Sequence, residues 1–218
     1  VLLSLGATAF GIAVGLAAAL VSSNFSASSI LERIPASALL LLVAYSGLFN
    51  DFRLSALILG AALVFTPVIA AIGERGSTSL LLHTARILVG WLPASIAASS
   101  LITLALRDAS SAGLLLVLIY FHDLGLELCG DGRARRQFAP FVAIGGSLIL
   151  LWTSVQLSVS PISPNQYWVF ACLLSIAIVL GRLIMQLFTS RDGQQTSLLA
   201  SHVVAAPLWT AAVVALNL

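Results

Sequence analysis

The chain has 218 residues, of which 60% are hydrophobic and only 8% charged, with a mean hydropathy of +1.08 and a net charge of +2. Soluble domains carry roughly 25% charged residues, so this composition excludes a fold built for water. Nucleic acid is not an expected partner, and the expected solvent is lipid.

Uncharged apolar stretches near the roughly 20 residues needed to cross a bilayer recur between short polar breaks. Backbone amides in hydrocarbon must be satisfied internally, which leaves helices or a closed barrel. The apolar runs lack the two-residue alternation of barrel strands. The expected fold is therefore all-α, a polytopic transmembrane bundle forming one integral membrane domain over residues 1–218. The breaks predict about eight spans, at 1–21, 36–50, 54–73, 81–106, 111–128, 138–156, 166–190 and 196–218. Val1 already lies in an apolar stretch, and a processed or longer N-terminus is expected.

In the first span, Gly11 and Gly15 stand four apart and would permit close helix approach. Pro67, Pro93, Pro140 and Pro207 fall inside or just within apolar spans, where kinks are expected. Trp91, Trp152 and Trp209 lie within or near helix ends and are read as interfacial anchors, burial of Trp152 being the alternative. Tyr167 and Trp168, after the uncharged connection from Ser158 to Asn165, are also placed in an aromatic belt.

All ten basic residues are arginines. Alternating faces put the breaks near Arg33, Arg75, Arg133, Arg135, Arg136 and Arg191 on one side and those near Arg53 and Arg107 on the other. The arginine-rich loops are then cytoplasmic, or the organellar equivalent, in a bacterial inner membrane or an organellar membrane. Cys129 and Cys172 show no metal or disulfide spacing.

Chemistry concentrates in the segment from Phe121 to Arg136. Asp123 and Glu127 share a helical face, and with Asp131 they make a carboxylate set suited to Mg²⁺. Arg133 and Arg135, with Arg86 upstream, could bind phosphate. His122 and His202 are candidate axial ligands for a haem or pigment. Arg182, inside the seventh span, must snorkel or face a polar partner.

These residues resemble the UbiA superfamily of intramembrane prenyltransferases, nine-helix proteins with two aspartate-rich motifs in cytoplasmic loops. Asp123, Glu127, Gly130, Asp131, Arg133 and Arg135 resemble the second motif, one residue away from its common spacing. The stretch Thr84 to Gly90 looks like the family's arginine-containing entry into its fifth helix, and Phe65-Thr66-Pro67 to Arg75 suits the end of its fourth. Glu32-Arg33-Ile34-Pro35-Ala36-Ser37 keeps the tail of the first motif, but serine, alanine and isoleucine stand in place of its aspartates. Asn50-Asp51 is no substitute, because alternation puts it on the opposite face.

The resemblance implies helices 2–9 of the family's fold. Stabilising a leaving diphosphate requires divalent metal held by both carboxylate sets, so the expected function is that of a catalytically degenerate member. Such a protein serves as a structural or accessory subunit of a larger membrane complex, or as a binder of isoprenoid lipid, quinone or pigment. Its partners are membrane lipids and other membrane subunits. The alternatives are an active Mg²⁺-dependent prenyltransferase using Asp123, Glu127 and Asp131 on metal with arginines on diphosphate, and a lipid-handling or transport protein.

Overall fold

The computed structural model describes residues 6–25, 30–73, 79–129, 133–188 and 196–216, the side chains of 21, 23–25, 133–137, 185–188 and 196–200 excepted. Among the described residues the fold is all-helical and contains no strand. Its helices are α1 (Ala7–Phe25), α2 (Ile30–Ser46), α3 (Phe52–Gly73), α4 (Leu80–Arg107), α5 (Ala109–Leu128), α6 (Arg133–Gln156), α7 (Tyr167–Phe188) and α8 (Thr196–Ala215). Among the described residues six stretches are long and apolar enough to cross a membrane: Ile30–Phe49, Phe52–Gly73, Leu80–Arg107, Ala109–Leu128, Phe138–Gln156 and Pro164–Ile184. Two shorter apolar helices are Ala7–Leu20 and Ser201–Ala215. This is the make-up of an integral membrane protein.

The chain forms two compact units, Val1–Arg107 and Asp108–Leu218. In the first, α4 packs against α1, α2 and α3. At 28 residues and 1.5 Å per residue, α4 is about 42 Å long, more than the ~30 Å of a bilayer core. Its inner face carries Trp91, Ala94, Ala97, Ala98, Ile102 and Ala105, all buried. Small residues bring the backbones close. A Cβ on Gly47 would lie 2.4 Å from the Ser99 carbonyl oxygen, and one on Gly15 would lie 2.4 Å from the Tyr45 ring. A Cβ on Gly11 would meet Leu48 at 3.0 Å and Ile102 at 3.3 Å, so the glycine pair of the first span marks a packing face. By contrast Leu57, Val64, Phe65, Val68 and Ile72 on α3 are exposed, as expected of residues facing lipid tails.

Polar side chains punctuate the helix ends. Asp51 accepts hydrogen bonds from the Arg53 and Leu54 amides at 2.8 and 3.3 Å and starts α3. Arg107 Nε donates to Asn50 Oδ1 at 2.8 Å, tying the end of α4 to the turn before α3. Asp108 caps α5 by accepting from the Ser110 and Ser111 amides at 3.0 and 3.1 Å.

The second unit consists of two helix pairs, α5 on α6 and α7 on α8, with α5 also touching α8 and α6 touching α7. Gly125 sits directly over Ala143, whose Cα would be 2.8 Å from an added Cβ. Ser147 Oγ reaches the Leu118 carbonyl across the same pair at 3.1 Å. Between α7 and α8 the rings of Phe170 and Trp209 meet at 4.7 Å, both fully buried.

Two expectations require correction. Trp91 and Trp209 are 1% and 0% exposed and are core residues, not interfacial anchors, whereas Trp152 and Trp168 are 52% and 72% exposed. Helix α2 begins at Ile30, six residues before the expected span, and includes Pro35. As the sixth residue of α2, Pro35 removes one bond, the one that would reach back to the Leu31 carbonyl in the first turn. All four other span prolines are accommodated within helices.

Replacing Gly47 or Gly125 by valine should lower stability by about 1–3 kcal/mol through overpacking. Gly60, with nothing within 4 Å of an added Cβ, should accept alanine with no loss. Thermal unfolding of the three variants in detergent checks this contrast.

Candidate functional site

Each unit carries a cluster of polar side chains at the end where its first helix finishes and its second begins. In the second unit the centre is Asp123, five residues before the end of α5. Its Oδ1 accepts from Ser201 Oγ at 2.8 Å and faces an Arg182 guanidinium nitrogen at 3.4 Å. Nδ1 of His122 lies 3.1 Å from the same oxygen. Arg182 comes from the last turns of α7 and Ser201 from the start of α8, so three helices converge on one carboxylate oxygen.

The physical reason is the cost of charge in an apolar bundle. A lone guanidinium on α7 or a lone carboxylate on α5 would be expensive there, and each supplies what the other lacks. The polar partner expected for Arg182 is therefore Asp123, 59 residues away in sequence. Around the pair two polar atoms remain buried without a hydrogen-bond partner among the described residues, Arg182 Nε and His202 Nδ1.

In the first unit the carboxylate is Glu32, in the first turn of α2 and 3% exposed. One oxygen lies 3.3 Å from Nε2 of His83 on α4, close enough for an ion pair but not aligned for a hydrogen bond. The other has no partner among the described residues. Gly73 at the end of α3 makes room for the carboxylate: an added Cβ would fall 2.0 Å from the oxygen that faces His83. Beside it a cleft is lined by Ser22, Arg33, Ala36, Ser37, Ile87, Gly90 and Trp91. Ser22 Oγ donates to the Gly90 carbonyl across its mouth.

The remaining candidates are dispersed. Glu127 and Arg86 are exposed, one on α5 and one on α4. Asp131 and the side chains of Arg133 and Arg135 lie outside the described residues. His122 is buried with Nδ1 toward Asp123, and His202 is partly buried. Among the described residues no three histidine, cysteine or carboxylate side chains converge on a common point. Magnesium asks for six oxygen ligands in near-octahedral array. The described part of the expected set does not fit it, since Asp123 faces cationic and hydroxyl donors and Glu127 points outward.

Sequence reasoning missed Glu32, His83, Ser201 and Trp91 as cluster members. Glu32 and His83 are 51 positions apart, and only the packing of α2 on α4 brings them together. One signal was available: a carboxylate and an arginine adjacent at the entrance of an apolar helix, of which only one can face outward.

Removing the charge of Asp123 with Asp123→Asn should destabilise the second unit by about 1–3 kcal/mol, less than for a fully buried pair because both groups are partly exposed. Adding Arg182→Gln should recover part of that loss. A double-mutant cycle on thermal unfolding in detergent measures the coupling.

Compared with models of known protein families, with curated proteins and with solved structures, the chain matches none.

Proposed function

We propose that this protein is a catalytically degenerate UbiA-like membrane protein of eight spans, corresponding to helices 2–9 of that fold, with its arginine-rich loops on the cytoplasmic side or its equivalent. It works as an accessory subunit of a larger membrane assembly or as a holder of an isoprenoid lipid, quinone or pigment. The observation that carries this reading is the fate of the two carboxylates nearest the motif positions. Glu32 is turned inward against His83 and Gly73, and Asp123 is engaged by Arg182 and Ser201.

In a working prenyltransferase of this class, carboxylates hold divalent cations that stabilise the departing diphosphate. A carboxylate already balanced by a guanidinium is a poor ligand for a second cation, because binding must first break the ion pair. Charge that would serve chemistry instead ties helices of one unit together. The order of elements supports the same reading: both units consist of four consecutive helices, and both place the carboxylate cluster at the same corner of that order.

Gentle detergent extraction from the native membrane followed by native sizing and mass spectrometry tests the proposal. Stoichiometric membrane subunits, or a retained isoprenoid, quinone or pigment, are the expected result. A lone, ligand-free chain that binds prenyl diphosphate only with Mg²⁺ would overturn it in favour of the enzyme.

A further inference from the structure

The cleft of the first unit has a donor chemistry that the paired carboxylates do not use. Its polar lining consists of Arg33, Ser37, Ser22 and Trp91. The Ser22 hydroxyl already donates its hydrogen bond to the Gly90 carbonyl. Trp91 is 1% exposed, and its indole Nε1–H, which can only donate, has no acceptor among the described residues. A buried donor left unsatisfied costs about 1–3 kcal/mol, so an acceptor that enters this cleft recovers that loss.

The charge of the cleft is equally specific. Arg33 is exposed, and no carboxylate among the described residues pairs with it. Its neighbour Glu32 points the other way, toward His83 and Gly73. The lining therefore offers one guanidinium and a serine hydroxyl, with the buried Trp91 indole among its walls and no carboxylate to bring a metal. One fixed positive charge balances one negative charge. That matches a phosphodiester monoanion, which a guanidinium grips bidentately, and it leaves a diphosphate largely uncompensated.

The surroundings select the source of that phosphodiester. Arg33 sits among Ile30, Leu31 and Ile34, all strongly exposed on the same first turns of α2. A cation ringed by exposed aliphatic side chains at the end of a spanning helix lies at headgroup level, with acyl chains alongside. We infer that the cleft formed by Ser22, Arg33, Ser37 and Trp91 is a binding site for the phosphodiester headgroup of an anionic glycerophospholipid. The inference concerns the isolated chain and does not depend on whether the protein serves as a subunit.

The test is native mass spectrometry of the purified, delipidated full chain titrated separately with phosphatidylglycerol, phosphatidylcholine and inorganic phosphate. Phosphatidylglycerol should bind at least about tenfold more tightly than phosphatidylcholine. Arg33→Gln should remove most of that preference, Arg33→Lys should keep part of it, and Trp91→Phe, which removes the N–H together with the pyrrole half of the indole, should weaken binding several-fold. A thermal midpoint unchanged in Arg33→Gln, and a single cooperative unfolding transition at a somewhat lower temperature in Trp91→Phe, show that the fold is intact. Equal binding of the two lipids, or phosphatidylglycerol binding indifferent to both substitutions, would overturn the assignment. Inorganic phosphate occupying the site as well as the lipid would show that free phosphate, not a headgroup, is its ligand, and would overturn it too. Because no partner subunit enters the experiment, a negative outcome leaves the accessory-subunit reading to its own test.

Discussion

A carboxylate carried into an apolar helix bundle has to be matched inside the protein, because lipid offers it neither water nor counterion. In the second unit this requirement selects Arg182, Ser201 and His122 around Asp123, and so decides which faces of α5, α7 and α8 turn toward one another. In the first unit it turns Glu32 inward to His83 and makes glycine necessary at position 73. Apolar packing has no comparable power to choose here, since lipid tails satisfy a leucine as well as another helix does. Small residues at Gly15, Gly47 and Gly125 set how near the backbones come, and the polar clusters set which helices they are.

The same requirement links stability to the functional reading. A metal-binding carboxylate must stay available, held near its ligand geometry by neighbours that do not neutralise it. Here the neighbours of Asp123 are a guanidinium, a hydroxyl and an imidazole, and one oxygen of Glu32 faces another imidazole. The positive charge left over in the first unit is that of Arg33, beside a cleft whose other polar groups include the unpartnered indole N–H of Trp91. The first unit thus separates its two adjacent charges, Glu32 toward the protein and Arg33 toward the surroundings. That separation gives the cleft its affinity for an anion and denies it a metal.

Helical class and membrane solvent were legible in the sequence, because both follow from local apolar length and from backbone hydrogen bonding. The need of Arg182 for a partner was legible for the same reason, as a guanidinium in a span is a local anomaly. Its partner was not, since Asp123 reads equally well as a metal ligand until α7 and α5 are brought together. Trp91 and Trp209 were misread because an aromatic near a helix end serves a belt or a core alike, and only the neighbouring helix decides. Ring contact with Phe170 settles it for Trp209. Glu32 was read only as part of a motif tail, because the helix that carries it was expected to start at position 36, after Pro35, and not at Ile30.

The central claim is that both carboxylates are turned to the protein's own side chains, Asp123 to a guanidinium and Glu32 to an imidazole, and not to a divalent cation. Electron paramagnetic resonance of the purified full chain titrated with Mn²⁺, a spectroscopic stand-in for Mg²⁺, tests it most directly. The account predicts no stoichiometric bound Mn²⁺, and no change in that result for Asp123→Asn or Glu32→Gln. One tightly bound Mn²⁺ per chain, lost in either variant, would contradict it.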